Sequence, residues 1–245
     1  MRLGIISDIH SNIEALTAVL DEISSEHCDK IICLGDVVGY CASPRECIDL
    51  LAESNIICLR GNHDAYVQEM SPDLKIQPFA KEAIYWTRNI LSKQQIEWLK
   101  ALPLTYSLEN AQFTHASLEG VDGSYWPYVL GPEKALLHFY MQTTRYCFNG
   151  HTHVPLLFTF GGLTIGMSYL KSQNLKDEPF SKYLISCGSV GQPRDNDKRS
   201  AYVIFDTETH DLKLQRCTYD VKKAQQRIID SGLPPILAER LSFGF

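Results

Sequence analysis

The amino-acid sequence predicts an α/β fold, on three observations. Short apolar runs recur along the N-terminal part of the chain, helical patterns separate several of them, and from about residue 156 the spacing of apolar residues shifts toward a period of two. Short runs rich in Ile, Leu, Cys and Phe are typical of strands buried on both faces, whereas a period of two is typical of antiparallel strands. We therefore expect a parallel half followed by an antiparallel half.

The first five apolar runs occupy residues 3–6, 31–34, 56–59, 111–113 and 146–148. After the first run, Ser11 and Glu14 match a capping box, and apolar side chains then recur at helical spacing. Ser43 and Pro44 open a second helix before the third run, because proline is favoured at the first helical position. This alternation of strand and helix predicts parallel strands.

Further helical patterns cover residues 78–100, 132–141 and about 220–230. The first of these segments contains a second capping signal, formed by Ser92 and Gln95. Its two tryptophans, Trp86 and Trp98, are expected to pack in the core, as large aromatic side chains usually do.

The antiparallel strands are expected at residues 156–160, 183–186, 202–205 and 212–216. Gly161 and Gly162 mark a turn after the first of them. Gly232, followed by two prolines, separates the last helix from a short tail. Because no repeat, low-complexity tract or linker interrupts the pattern, residues 1–245 are expected to form a single domain.

The composition is that of an ordinary globular protein, with 245 residues of which 44% are hydrophobic and 21% charged. No stretch of 18 apolar residues occurs, and the first apolar run is too short for a signal peptide, so we expect no membrane association. The eight cysteines include no Cys-x-x-Cys pair of the kind that zinc ribbons use. A reduced, cytoplasmic protein is therefore expected.

The net charge of the chain is −6. Proteins that grip long nucleic acids usually present a basic surface, because neutralising the phosphates supplies most of the affinity. No stable nucleic-acid complex is therefore expected. Small phosphorylated partners stay compatible with this charge, because bound cations reverse the local field.

Polar side chains follow all five apolar runs of the parallel half, at the point where each strand ends. These residues are Asp8, His10, Asp36, Asn62, His63, His115, His151 and His153. Ligands of open α/β sheets bind beyond the carboxyl ends of the strands. We therefore expect these eight side chains to lie close together at one edge.

Each of these residues also has an ordinary explanation when it is taken alone. Asp8 and His10 could be loop residues, and Gly61 with Asn62 resembles a hairpin turn. Five such coincidences at five strand ends are improbable, and the alternating pair His151 and His153 is the least accidental of them. The other histidines lie in segments away from this edge and are expected to be structural: His27, His138 and His210.

The residue types at this edge suit a pair of divalent metal ions. Carboxylate, amide oxygen and imidazole are ligands of Mn²⁺, which is the first candidate, and of Fe, Zn²⁺, Mg²⁺ or Ni²⁺. Two cations roughly 3.5–4 Å apart clamp the attacking and leaving oxygens of a displacement at phosphorus and lower the pKa of a bound water toward about 7. Asp36, at the end of a central strand, is the natural bridging ligand.

These residues, in this order, resemble the five motifs of the calcineurin-like metallophosphoesterases. The motifs are Asp8-x-His10, Gly35-Asp36, Gly61-Asn62-His63-Asp64, a lone His115 and Gly150-His151-x-His153. The segments at 188–195 and 232–241 also resemble a small prokaryotic phosphoesterase and phosphodiesterase branch of that superfamily. The resemblance implies a four-layer α/β/β/α sandwich.

The resemblance also implies a role for each residue of the set. The first metal would be held by Asp8, His10, Asp36 and His153. The second metal would be held by Asp36, Asn62, His115 and His151. His63 would protonate the leaving alkoxide or contact the scissile phosphate, a role that suits the pKa of imidazole.

The sequence departs from the Ser/Thr protein phosphatases of the superfamily after Gly35-Asp36. Gly39 and Tyr40 replace the carboxylate that orients the catalytic histidine there and the arginine that grips phosphate, which argues against a phosphoprotein phosphatase. Arg60 and Arg194 are candidates for contacting the phosphate instead, although surface ion pairs are the alternative for both. The aromatic residues after His115 could stack on a base or simply pack: Tyr125, Trp126 and Tyr128.

The function expected from these observations is hydrolysis of phosphomonoesters or phosphodiesters by a hydroxide bound to the two metals. The partner would be a small phosphorylated molecule or a nucleotide. A nuclease and a phosphoprotein phosphatase are alternatives within the same chemistry. A scaffold that keeps the fold without catalysis is a third alternative, which the complete set of ligand positions disfavours.

Overall fold

The structure is a computed structural model that describes residues 1–69, 75–161, 164–175 and 179–245. Its strands are β1 (Arg2–Ile6), β2 (Lys30–Cys33), β3 (Ile56–Cys58), β4 (Thr105–Leu108), β5 (Ala111–Thr114), β6 (Tyr146–Asn149), β7 (Pro155–Gly161), β8 (Thr164–Tyr169), β9 (Gln173–Asn174), β10 (Lys182–Cys187), β11 (Ser200–Asp206) and β12 (Asp211–Cys217). Its α-helices are α1 (Ile13–Ser25), α2 (Pro44–Glu53), α3 (Asn62–Glu69), α4 (Pro78–Ile90), α5 (Lys93–Ala101), α6 (Pro132–Met141), α7 (Val221–Asp230) and α8 (Pro235–Glu239).

The strands form two six-stranded sheets, and each sheet is mixed. The first has the order β3-β2-β1-β11-β12-β9, and the second has the order β4-β5-β6-β10-β7-β8. The early strands pair in parallel as expected, β1 with β2, β2 with β3 and β5 with β6, and the later strands pair antiparallel, β7 with β10 and β11 with β12. The two kinds of pairing are not separated into two halves, however, because each sheet contains both. Strand β11 pairs antiparallel with β1, so that Leu3 lies opposite Phe205. Strand β10 pairs in parallel with β6, so that Tyr183 lies beside Tyr146. Long-range pairing of this kind is not encoded in local periodicity.

Four layers result, as the resemblance implies. The two sheets pack face to face through residues such as Ile5, Phe113 and Phe205, all fully buried. Helix α1 covers the outer face of the first sheet, where Gly4 lets the side chain of Ile23 approach closely. Helix α6 covers the outer face of the second sheet through Phe139. The α/β/β/α fold class is confirmed.

The start of α1 differs from the predicted capping box. The helix begins at Ile13, and the side chain of Asn12, not Ser11, accepts a hydrogen bond from the Ala15 amide at 3.1 Å. Ser11 instead has a φ of 58° and belongs to the loop that leaves β1. The second predicted capping box, between Ser92 and Gln95, is present at the start of α5.

Several elements were outside the predictions because their sequences carry weak periodicity. Strands β4, β8 and β9 are short or largely exposed, and α8 lies in the predicted tail. The hairpin turn considered for Asn62 is wrong, because that residue begins α3. The predicted turn at Gly161 and Gly162 falls partly outside the described residues. Trp86 and Trp98 pack against the core as expected.

No helix in the described parts of the chain is both long enough and apolar enough to cross a membrane.

Candidate metal centre and cleft

The loops that follow the predicted strands meet at one edge shared by the two sheets. The amide of Asp8 donates to the Gly35 carbonyl at 3.0 Å, and the amide of His10 donates to the Asp36 carbonyl at 2.9 Å. Across the sandwich, the amide of His151 donates to the Asp8 carboxylate at 3.0 Å. Strand ends that belong to different sheets are thereby held in one cluster.

A first group of ligand atoms is formed by Asp8, His10 and His153. The Nε2 atoms of the two histidines lie 3.1 Å apart, and Oδ1 of Asp8 lies 3.3 Å from His153 Nε2 and 3.9 Å from His10 Nε2. All three side chains are almost completely buried. Their atoms are close enough to share one cation.

A second group is formed by Asp36, His115 and His151, with Asn62 beside it. Oδ2 of Asp36 lies 3.3 Å from His115 Nε2, and Oδ1 of Asn62 lies 3.1 Å from the same nitrogen. The same Asp36 oxygen is also 3.6 Å from His10 Nε2, which belongs to the first group. Asp36 therefore stands between the two groups, in the position that a bridging carboxylate requires.

Hydrogen bonds to backbone carbonyls orient the imidazole rings. The Nδ1 atoms of His10, His115 and His153 lie 3.1, 3.0 and 2.6 Å from the carbonyl oxygens of residues 38, 34 and 192. A carbonyl only accepts, so each Nδ1 carries a proton, and in the neutral rings of His10 and His153 the Nε2 presents its lone pair to the cluster. Metal-binding histidines are typically held in this way.

Three of the four rings are held neutral, as metal ligands must be, whereas His115 is held charged by the neighbouring Asp36 carboxylate. Burial lowers the pKa of His10 and His153, and it lowers the pKa of His151 to about 3, which keeps these rings neutral. Burial opposes charge on His115 as well, but the Asp36 carboxylate outweighs it and raises the pKa of His115 to about 9. Positive charge is thus stabilised beside Asp36.

The cluster concentrates buried negative charge. Asp8, Asp36 and Asp64 are each at most 1% exposed, and within the described ranges no lysine or arginine lies within 4 Å of their carboxylates. Burial raises the pKa of Asp8 to about 7, with repulsion by Asp36 adding to the rise. Uncompensated buried carboxylates are costly unless they are paired or coordinate metals. The donor set therefore fits divalent cations.

The loops that carry the cluster adopt left-handed backbone conformations that side chains other than glycine rarely occupy. Such backbone strain is characteristic of functional sites, where the surrounding structure over-determines it. Seven non-glycine residues of these loops have a φ between 50° and 63°: Asp8, His10, Ser11, Asp36, Tyr40, His151 and His153.

Glycines in the same motifs allow the loops to approach one another. A Cβ atom at Gly61 would lie 2.2 Å from Oδ1 of Asp36, and a Cβ atom at Gly150 would lie 2.4 Å from Oδ2 of Asp8. Both distances are far below van der Waals contact. These glycines are therefore required by packing against the carboxylates rather than by an unusual φ.

His63 lies beside the cluster and lines the adjoining cleft. Its ring centroid is 4.8 Å from that of His10 and 4.5 Å from that of Tyr40, and its amide donates to Asp36 Oδ1 at 2.8 Å. Its Nδ1 atom has no hydrogen-bond partner among the described residues. Burial lowers the pKa of His63 to about 4.

The backbone of Gly39 faces His63 where the protein phosphatase motif has a carboxylate. Gly39 has a φ of 97°, and a Cβ atom there would lie 2.5 Å from His63 Nδ1. No side chain fits between this loop and the ring. The position of the imidazole is therefore set by packing against Gly39 and Tyr40.

We expect Gly39→Ala to lower kcat by roughly 10–100-fold, because displacement of a catalytic group by about 1 Å has effects of this size. Metal content should stay at the wild-type value, since Gly39 contributes no ligand atom. Gly232→Ala is the matched control. Gly232 has a φ of 70°, but a Cβ atom there has no neighbour within 4 Å, so this variant carries backbone strain without touching His63. Equal kcat losses in the two variants would contradict a specific role of Gly39.

A cleft of about 640 Å³ opens from the cluster toward α4 and α8. Trp126 and Tyr128 line it, and the ring of Tyr128 stacks on His151 with centroids 3.9 Å apart. Arg194 also lines the cleft, as predicted for a phosphate contact. Arg60 is not among the lining residues, because its backbone amide is tied to the carbonyl of Pro103 and its Nε atom is buried.

Sequence reasoning missed three further residues at this site. Asp64 accepts hydrogen bonds from the amides of Val38 and Gly61, and so joins two of the loops; its place in the fourth motif was the available signal. Tyr40 and Arg240 line the cleft. The sequence marked Tyr40 only as a departure from the protein phosphatase motif, and Arg240 only as part of the segment 232–241.

The histidines predicted to be structural lie away from the cluster. His138 is buried in α6, and its Nδ1 accepts a hydrogen bond from the Leu118 amide at 3.2 Å. Burial lowers the pKa of this side chain to about 3, so it is neutral. His27 and His210 belong to none of the clusters of metal-ligating atoms in the described residues.

Comparison with known proteins places the chain in a family. Residues 1–210 match the calcineurin-like phosphoesterase superfamily domain. An uncharacterized protein of Methanocaldococcus jannaschii, MJ0912, is 36% identical over 250 residues, which cover 99% of this chain and 98% of that protein.

Two crystal structures show the same architecture. A metallophosphoesterase from Sphaerobacter thermophilus is 33% identical, with a TM-score of 0.85 over 100% of this chain and 99% of that one. The hypothetical protein PH1004 from Pyrococcus horikoshii is 21% identical, with a TM-score of 0.79 over 100% and 98% of the two chains, and it supports the fold alone. The chain belongs to the calcineurin-like phosphoesterase superfamily, and it is a hydrolase of phosphate esters.

Proposed function

We propose that this hydrolase cleaves phosphomonoesters or phosphodiesters of small molecules or nucleotides at a centre of two divalent cations. The observation that carries the proposal is the place of Asp36. One of its carboxylate oxygens lies 3.6 Å from an imidazole nitrogen of the first ligand group and 3.3 Å from one of the second. A carboxylate that lies between two sets of ligand atoms is suited to bridge two metal ions.

Seven side chains are proposed to hold the cations. Asp36 would be shared by the two cations, with Mn²⁺ as the first candidate for both. Two cations held by these residues would supply a water acidic enough to act as nucleophile and would stabilise the charge that develops on the phosphate. The remaining ligands would be Asp8, His10 and His153 for one cation and Asn62, His115 and His151 for the other.

His63 is proposed to protonate the leaving alkoxide or to contact the scissile phosphate. Because burial lowers its pKa to about 4, proton donation requires the negative charge of a bound phosphate to raise that pKa again. His63 lines the cleft next to the ligand groups, and its ring is held by its neighbours rather than by a hydrogen bond at Nδ1. Arg194 is proposed to contact the phosphate, because its guanidinium group lines the same cleft. A guanidinium group binds phosphate through two parallel hydrogen bonds.

The alternatives are less well supported. A phosphoprotein phosphatase would have a carboxylate near His63, where this chain has the backbone of Gly39. A nuclease is disfavoured by the net charge of −6, and a silent scaffold by the complete ligand set. We further propose that residues 1–245 act as one domain, because the two sheets share a buried core. A reducing, cytoplasmic environment is proposed because all eight cysteines are free.

The proposal is tested by removing the metal. Protein treated with a chelator should lose hydrolysis of p-nitrophenyl phosphate and of bis-p-nitrophenyl phosphate, and Mn²⁺ should restore it. The two esters also separate monoesterase from diesterase activity. Phosphopeptide and single-stranded DNA substrates should be cleaved more slowly than the better ester. Full activity after complete metal removal, or faster turnover of DNA, would contradict the proposal.

A further inference from the structure

The cleft next to the metal centre has a basic far side that the ligand set does not explain. Its described lining residues include Lys75, Arg194 and Arg240, and they include no aspartate or glutamate. The chain as a whole has a net charge of −6. Positive charge gathered in a cleft of an acidic protein raises the local concentration of anions.

Both arginines lie close to the same aromatic ring, that of Tyr40. The guanidinium carbon of Arg194 is 5.6 Å from the centroid of Tyr40, and that of Arg240 is 5.9 Å from the same centroid. Tyr40 in turn lies 4.7 Å from the ring of His10, which belongs to the metal centre. The arginines are thus one aromatic ring away from the ligand groups.

The arginines are held in place without aspartate or glutamate side chains as partners. Nη2 of Arg194 donates to the side-chain oxygen of Gln192 at 2.9 Å, and Nε of Arg240 donates to the main-chain oxygen of Phe245 at 2.6 Å. In the described part of the chain, no aspartate or glutamate carboxylate lies within 4 Å of either guanidinium group. The Nε atom of Arg194 is buried without a partner. Hydrogen-bonding capacity is therefore left for an anion.

The surrounding structure keeps the guanidinium groups of Arg194 and Arg240 in the cleft. The loop that carries Arg194 is bonded to the segment after Arg240, because the amide of Asn196 donates to the carbonyl of Gly244 at 2.8 Å. The guanidinium of Arg240 also lies 5.9 Å from the ring of Phe79. Burial, together with repulsion by Arg194, lowers the pKa of Arg240. Bringing two such charges together is unfavourable unless an anion joins them.

We propose that Arg240, with Arg194 shared between the two positions, forms a subsite for a second anionic group, a phosphate or carboxylate, on the substrate. The inference rests on the proposed function, because the metal centre would take the phosphate that is cleaved. The preferred substrates would then carry two anionic groups, and Tyr40 would separate the two binding positions. Arg240 is the residue specific to the second position.

Matched substrate pairs test this inference. Fructose 1,6-bisphosphate is compared with fructose 6-phosphate, and 3-phosphoglycerate with glycerol 3-phosphate, so that each pair differs by one anionic group. We expect wild-type kcat/KM to be higher for the doubly anionic member of at least one pair. In Arg240→Gln this preference should fall by about 10–100-fold, mainly through KM, as expected for loss of charge-assisted hydrogen bonds. Arg240→Lys, which keeps the charge, should retain part of it.

The control is Lys223→Gln, which removes a positive charge from α7 outside the cleft and should leave the preference unchanged. Thermal unfolding of each variant shows whether the fold is intact. A preference for a bisphosphate alone identifies phosphate as the second group, and a preference for phosphoglycerate identifies carboxylate. Equal losses on both members of each pair, or no wild-type preference, would overturn the subsite. Failure to cleave any ester would instead contradict the proposed function.

Discussion

Replacing Asp36 by Asn should remove both metal ions and lower kcat/KM by about 10³-fold or more. The carboxylate lies between the two ligand groups, so its loss weakens both sites at once. Loss of one preorganised hydrogen-bond donor at an active site already costs about 10²–10³-fold in kcat, and loss of a shared metal ligand is expected to exceed that. Metal analysis of the purified protein, together with p-nitrophenyl ester assays, measures both effects.

Asp8→Asn is the matched comparison. Asp8 is equally buried, but its ligand atom belongs to the first group only. This variant should lose one metal ion and keep the other. If Asp36→Asn also retains one ion at wild-type affinity, Asp36 does not bridge two cations.

Replacing His63 by Ala should lower kcat by about 10²–10⁴-fold, the range typical of general acid–base groups. Both metal ions should stay bound, since His63 is proposed to move a proton rather than to hold a cation. The loss should be smaller for esters whose leaving group is acidic, such as p-nitrophenol, because that leaving group needs little protonation. Rates on an alkyl phosphate and on p-nitrophenyl phosphate, with metal content, test this.

A metal-ligand role for His63 needs a separate test. One of its ring nitrogens lies within 4.8 Å of ligand atoms of His10 and Asp36. His10→Ala provides the comparison, since His10 is a proposed ligand and its loss should release metal. If His63→Ala releases metal to the same extent, His63 is a ligand and another group supplies the proton.

The sequence allowed the strands to be located, but it did not reveal how they are divided between the sheets. The runs at 3–6 and 146–148 are both short and apolar, and both are followed directly by polar residues. Their separation depends on pairing between β1 and β11, which is remote in sequence. Helix α3 escaped prediction because its first turn is polar and buried by the site, so no apolar stripe marks it.

The candidate site could be predicted more fully than the fold. Its main residues follow strand ends, and strand ends are visible in a sequence. Asp64 and Arg240 act through contacts made by a neighbouring loop and by the C-terminal segment, and periodicity does not report such contacts. The left-handed conformations of Asp8 and His151 were equally invisible, because those conformations are usually signalled by glycine.

The central claim is that two cations share the Asp36 carboxylate. A crystal structure of the protein grown with Mn²⁺, using anomalous scattering to locate the metal, tests this claim most directly. We predict two peaks roughly 3.5–4 Å apart, with Asp36 in contact with both. A single peak, or two peaks of which only one contacts Asp36, would contradict the account.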